Sequence, residues 1–207
     1  YTVLFLKQSG KSAGIILYSA FFPNRGKNAR GNRPRRAFYA CANRFDSGVE
    51  PDEIGKGGNQ MEFSWSMGKT DFEGSFFVRK KVFMEEQGFH DEFDSTDETA
   101  WHLTVCQSGG PVAAARIFPE GEGSWHFGRI CVLPEYRGAG LGRKIMEQLE
   151  EKAAAFGAKR FVLSAQKQAR GFYEKLGYRQ EGEEYLDEHC PHVWMVKEAP
   201  RQSSKIV

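Results

Sequence analysis

Within thirteen residues, Val132 to Lys144, the chain reads VLPEYRGAGLGRK. Arg137 stands just before Gly138, Gly140 and Gly142, and an apolar repeat with helical period begins at Leu141. The first N–H groups of a helix have no intrahelical acceptor and carry partial positive charge, so they bind anions, phosphates above all. Glycines let the backbone turn tightly and approach a ligand closely, and Arg137 or Arg143 adds charge. Two familiar phosphate loops do not fit. A P-loop needs GxxxxGK followed by Ser or Thr, whereas Gly142 is followed by Arg143 and Lys144 by Ile145. A dinucleotide fingerprint needs GxGxxG, and here the glycines run GxGxG. A different phosphate-binding loop or a plain strand-to-helix turn remains.

The pattern Arg-x-x-Gly-x-Gly, here Arg137, Gly140 and Gly142, resembles the acetyl-CoA loop of the GNAT acetyltransferases. The resemblance continues in order along residues 61–197. GRICVLPEYRGAGLG is similar to the family's cofactor strand and pyrophosphate loop. SAQKQARGFYEKLGY is similar to the strand end and helix that follow, with Gln166 in place of the usual Asn and Tyr178 in place of the final Phe. RKKVFMEEQ (Arg79, Val82, Phe83, Glu86, Gln87), EFDSTD (Glu92, Asp94, Asp97) and CPHVWMVK resemble the ElaA-like branch, although Cys190 replaces its usual apolar residue.

The resemblance implies an α/β (α+β) domain with the GNAT acyl-CoA N-acyltransferase fold, a mixed central sheet flanked by helices. It implies acetyl-CoA as co-substrate and no metal. It places the pantetheine arm beside Ile130, Cys131 and Val132, like an added strand, and the pyrophosphate on Arg137, Gly138, Ala139, Gly140, Leu141, Gly142 and Arg143, with Gln166 contributing an amide. Tyr173 occupies the position of the tyrosine that serves many members as general acid.

Acetyl transfer needs a neutral amine. A lysine-like amine has a pKa of about 10.4, so holding it neutral at pH 7 costs about 4.6 kcal/mol at roughly 1.36 per unit, and a base or a water chain is required. Glu86, at the end of a matched helix, is the first choice among side chains. Asp94 and Asp97 are candidates for attracting a cationic acceptor, and His192 is a base or a pocket wall. His102 and His126 have no supporting motif. The alternative to catalysis is a sensor or interaction module that binds acyl-CoA without turning it over.

These residues need elements to position them. MEFSWSM alternates like an edge strand, and DFEGSFFVRKKVFMEEQ is spaced roughly as a helix leading into the acidic loop EFDSTDE. AWHLTVCQ and PVAAARIF flank SGG as a hairpin, and SWHFGRICVL is a third strand ended by Pro134. Leu141, Ile145, Leu149, Ala153 and Phe156 fall on one helical face, with Gly157 placed as a C-terminal cap. RFVLSA is a short buried strand, KQARGFYEKL a helix closed by Gly177, and YRQEGEEY and HVWMVK are two final strands.

Residues 1–60 differ in character. They carry ten Lys and Arg against four Asp and Glu, a balance of +6, whereas residues 61–207 carry 19 against 23, a balance of −4. KGGNQM, Lys56 to Met61, can be back-translated to contain AGGAGG a few bases before ATG, a bacterial ribosome-binding arrangement. Residues 1–60 are therefore expected to be a disordered or non-native upstream extension, 61–198 the catalytic domain and 199–207 a loose tail. No apolar run of about 18 residues suggests a membrane span. A mildly acidic domain argues against nucleic acid and suits a small cationic amine. Cys41, Cys106, Cys131 and Cys190 show no metal-like spacing, so free thiols in a bacterial cytoplasm are expected. A homodimer is compatible with all of this.

Overall fold

A computed structural model of the 207-residue chain describes residues 3–5, 16–18 and 60–200. The remainder of the expected extension and the tail beyond residue 200 lie outside the described residues. Within residues 1–35, a unit by itself, β1 (Val3–Phe5) pairs antiparallel with β2 (Ile16–Tyr18), Leu4 opposite Leu17.

Seven strands form the main sheet: β3 (Met61–Met67), β4 (Trp101–Gln107), β5 (Gly110–Gly121), β6 (Ser124–Val132), β7 (Arg160–Gln166), β8 (Arg179–Asp187) and β9 (Cys190–Glu198), in the order β3-β4-β5-β6-β7-β9-β8. Every neighbouring pair is antiparallel except β6 and β7. A parallel pair cannot be joined by a tight turn, and the crossover is α2 (Leu141–Ala155). The other helices are α1 (Glu73–Arg79), which runs on as a π-helix over Lys80–Glu86, and the short α3 (Arg170–Glu174). The α+β architecture with a mixed sheet matches the expectation.

Alternate residues of β5 divide the core. Ala113, Ala115 and Ile117 join a cluster with Leu141, Ile145, Met146, Leu149 and Ala153 of α2, whereas Ala114 joins Val78 of α1, Val82 of its π-helical continuation and Cys131 of β6. The period-2 alternation of a strand puts these sets on opposite faces, so one helix covers each face of the sheet.

The apolar stripe of α2 is buried as its spacing predicts, save at the end: Phe156 is 46% exposed and stacks on Trp125 at 5.0 Å. Gly157 (φ 81°) closes the helix, with Gly157 N–H donating to Ala154 and Ala158 N–H to Ala153, the Schellman pattern. Gly177 (φ 88°) ends the segment after α3 similarly, with Tyr178 N–H donating to Tyr173. Cys131 and Cys190 are free thiols. Cys106 is disulfide-bonded, which corrects the expectation of uniformly free cysteines. Among the described residues no helix is long and apolar enough to cross a membrane.

Candidate active site

The ladder between β6 and β7 ends at Phe127 opposite Leu163, yet β6 continues to Val132 and β7 to Gln166. On its other side β6 stays paired, Cys131 with Ala114 and Val132 with Ala113. The register between β5 and β6 shifts in this region, and Arg129 lies at φ 53°. That bulge bends β6 away from β7. The β7-facing backbone of Gly128 to Val132 is left beside no strand, and a wedge opens.

A cavity of about 240 Å³ occupies the wedge. Ile130 of β6, Ser164 and Gln166 of β7, Tyr173 of α3 and His192 of β9 line it, together with Phe83 and Gln87 from the end of the π-helix. Tyr173 is 7% exposed, and its hydroxyl has no hydrogen-bond partner among the described residues. Its burial pushes the phenol well above the ordinary tyrosine range. Gln166 is oriented from both sides: it donates to Gln87 at 2.8 Å and accepts from Gln168 at 2.8 Å. Cys131, by contrast, turns its side chain into the α1 cluster, and burial pushes its thiol up. Only its backbone is available to a ligand in the wedge.

After β6, a 3-10 turn (Pro134–Tyr136) and the glycines lead into α2. Gly140 is the N-cap residue at φ 81°, without a side-chain cap, and Gly138 is also at φ 81°. A Cβ built on either would meet no atom within 4 Å. The first-turn N–H groups at Leu141, Gly142 and Arg143 have no side-chain acceptor among the described residues. That is a fit for a diphosphate.

A family model for the acetyltransferase (GNAT) domain matches residues 74–199. This chain belongs to the GNAT acetyltransferase family. An uncharacterized N-acetyltransferase of Bacillus subtilis is 42% identical over 127 residues, 60% of this chain and 90% of that one. The crystal structure of a candidate N-acetyltransferase from Lactobacillus plantarum superposes with a TM-score of 0.64 at 29% identity, over 69% of this chain and 100% of that one. Escherichia coli ElaA shares the fold, with a TM-score of 0.62 at 24% identity over 67% of this chain and 100% of that one. The chain is an acyl-CoA-dependent acyltransferase.

In this GNAT domain Glu86 does not face the cavity. Its carboxylate is held in a two-pronged pair by Arg137, at 2.7 and 2.6 Å, and the Arg137 Nε–H donates to Val132 O at 2.9 Å. The Arg137 hydrogen bond lowers the pKa of Glu86 below its ordinary value, so the carboxylate holds protons less readily. The residue expected as base is thus engaged by Arg137 in this structure. The first-choice base is instead the partner of the expected phosphate arginine. Both side chains are about two-fifths exposed (42% and 37%), where such pairs are worth about 0–1 kcal/mol. Glu86→Gln is therefore expected to tighten CoA binding by up to about fivefold and to leave the acceptor KM unchanged. Calorimetric titration with CoA checks the first statement; a raised acceptor KM at constant CoA affinity would return Glu86 to the acceptor side.

Asp94 and Asp97, expected to attract a cationic acceptor, are paired with arginines of the protein. Asp97 is fully buried and receives Arg79 at 2.7 and 3.1 Å and Arg116 at 2.7 Å. Asp94 pairs with both terminal nitrogens of Arg116, at 2.7 and 3.0 Å, and caps the turn Ser95–Glu98 through Thr96 N–H at 2.8 Å. Glu92 completes the set, between Arg79 at 2.6 Å and Arg129 at 3.0 Å. Three guanidinium groups and three carboxylates thus bind α1, the loop after it, β5 and the β6 bulge together. Glu92 and Asp97 are buried in this network, and Asp94, though 38% exposed, is paired with Arg116.

Sequence reasoning missed the acids that the cavity does meet. Asp91 and Asp187 line its rim, and their carboxylates have no partner among the described residues. Glu188 lines it as well, but its carboxylate accepts from the N–H groups of His90 and Asp91 at 3.1 to 3.2 Å. Nothing in their spacing announces them, because the fold brings positions nearly a hundred residues apart to one rim.

Proposed function

We propose that the protein moves an acetyl group from acetyl-CoA directly to a primary amine of a small cationic acceptor, with Tyr173 acting on the leaving sulfur. The observation that carries this reading is the buried Tyr173, whose hydroxyl has no partner among the described residues, in a wedge where β6 lacks its neighbour. The pantetheine amides would pair with the free edge of Ile130–Val132. The diphosphate would sit on Gly138–Arg143, with Arg137 in reach once it leaves Glu86, and Gln166 would orient the thioester end. Asp91 and Asp187 favour a cation at the rim, and about 240 Å³ suits a small amine rather than a bulky one. The amine attacks the thioester carbon, the C–N bond forms as the C–S bond breaks, and Tyr173 donates a hydrogen bond to the sulfur as its charge grows. With acetyl-CoA as donor, the place of action is the cytoplasm.

A screen of diamines, amino sugars and amino acids with acetyl-CoA, following released thiol, tests the reading. Thiol release with diamines is expected. Acetyl-CoA that binds but releases no thiol with any amine would instead favour the non-catalytic acyl-CoA-binding module. The loop is tested separately. Gly140→Asp keeps a residue type that tolerates the left-handed backbone better than most and enters open space, so the fold should persist. Its carboxylate would oppose the diphosphate, and acetyl-CoA affinity should fall at least about tenfold, since each 1.4 kcal/mol is tenfold. Unchanged binding by calorimetry would show that the loop is not the phosphate site.

A further inference from the structure

The transfer proposed above needs a group to take the proton of the acceptor ammonium, and we infer that His192, through its Nε2, is this general base. The inference rests on that acetyltransferase reading. His192 lines the cavity with Tyr173 and is 6% exposed. Its Nδ1 lies 2.9 Å from the Cys190 carbonyl oxygen. A carbonyl oxygen can only accept, so Nδ1 carries the proton, and the neutral ring bears its lone pair on Nε2. Nε2 has no hydrogen-bond partner among the described residues. The ring plane is held by Tyr185, stacked at 6.0 Å and 30°, and by the edge of Phe89 at 6.4 Å. The result is an imidazole locked in the tautomer whose free nitrogen serves the cavity.

The other titratable groups around the cavity are each committed or unsuited. From the loop after the π-helix, Glu92 is paired with two arginines, and Asp91 is a carboxylate at the rim. From β6, Arg129 is held by Glu92 and Asp94, and His126 stacks on Phe118 at 4.8 Å with its Nδ1 3.5 Å from Glu120. From β8 and the turn after it, Tyr185 bonds to Ser164, Asp187 is a second rim carboxylate, and Glu188 is taken by backbone N–H groups. His189 uses its Nε2 on Gln87 O at 3.0 Å. Tyr173 of α3 is a proton-bearing phenol.

The proton balance closes. The ammonium gives one proton to Nε2 of His192, which passes it to solvent. The neutral amine attacks the thioester carbon, and the C–S electron pair goes to sulfur. The second proton, shed by the nitrogen on attack, goes to the sulfur, so the products are the N-acetyl amine, CoA thiol and one solvent proton.

The test is the pH profile of His192→Asn against wild type, with acetyl-CoA and 1,4-diaminobutane, or the first amine of the panel that turns over. The Asn amide N–H can keep the Cys190 hydrogen bond but cannot act as a base. At pH 7 kcat should fall about 10²-fold, while calorimetry gives an unchanged acetyl-CoA Kd. The deficit should shrink as the pH approaches about 10, where the amine is neutral without help. An unchanged kcat, or a loss by the same factor at every pH, overturns the inference, since a structural role would not follow the proton. Nitrogen-15 NMR of the wild-type imidazole supplies a readout free of turnover: a proton on Nε2 rather than Nδ1 in the neutral ring overturns it as well. A wild type that binds acetyl-CoA but acetylates no amine brings down the acetyltransferase reading itself and this inference with it, and is told apart from failure of the base alone by the absence of wild-type turnover.

Discussion

Tyr173→Phe is expected to lower kcat by roughly 10²- to 10⁴-fold and to leave acetyl-CoA affinity within about twofold of wild type. The ring is a packing element: it meets Phe172 at 5.0 Å and Tyr178 at 6.0 Å, both edge to face, and belongs to the main core cluster. Phenylalanine keeps those contacts. What it deletes is a hydroxyl with no hydrogen-bond partner among the described residues. Burial raises the phenol far above its ordinary value of about 10, so complete proton transfer to a thiolate near 8.5 is uphill. Its contribution is a hydrogen bond that strengthens as charge builds on sulfur in a site shielded from water. For the same reason wild-type kcat should show no falling limb from this residue through pH 10. Single-turnover measurement of thiol release decides: an unchanged chemical step in Tyr173→Phe would remove the residue from the reaction.

Arg79→Met is expected to destabilise the fold by about 3–5 kcal/mol, the scale of breaking a buried ion pair by removing one partner. Arg79 is fully buried and touches Glu92 and Asp97 at four points, at 2.6, 2.7, 2.9 and 3.1 Å. Methionine fills much of the stem but leaves two carboxylates short of a donor. The pH dependence has a definite sign. Burial works against ionisation of Asp97, but Arg79 and Arg116 outweigh it and hold the carboxyl well below the usual range. Its folded value is below its unfolded value, so its stabilisation is present above about pH 3.9 and is lost as the pH falls further. Glu92 runs the other way. Burial pushes it up despite Arg129 and Arg79, so its contribution is full below about 4.3 and declines as the pH rises through the raised value. Urea unfolding of both proteins between pH 3 and pH 8 should show a wild-type loss on acidification that is flatter in Arg79→Met. An unchanged midpoint at pH 7 would show that the network is not what holds α1 to the sheet.

The legible parts of this protein were those whose causes lie within one turn or one hairpin. The stripe Leu141, Ile145, Leu149, Ala153 is buried because those positions share a face whatever lies opposite. Gly157 and Gly177 close helical segments because a left-handed residue is needed there. The strand-to-helix turn at Gly138–Gly142 is visible because left-handed glycines and the start of the apolar stripe mark it locally. The roles of Glu86, Asp94 and Asp97 were not legible, because each depends on an arginine 18 to 51 positions away, and a carboxylate looks the same in sequence whether it faces water or a guanidinium. Phe156 continued the stripe of α2 by count, yet it lies past the helix end, where Trp125 offers it a flat surface instead of a core. The rim pair Asp91 and Asp187 required the β8–β9 turn to be folded against the end of the π-helix before it existed at all.

The early end of the β6–β7 ladder also has a consequence for the life of the molecule. The end of β6 has no strand on its β7 side, and the proposed donor would pair with that edge at each turnover. A ligand present at a hundred times its Kd adds about 2.7 kcal/mol to the stability of the state it binds, a large fraction of what an ordinary domain possesses. The resistance of this protein to unfolding and proteolysis would then follow the acyl-CoA supply of its surroundings, so that starvation for the donor would slow the reaction and also shorten the survival of the enzyme.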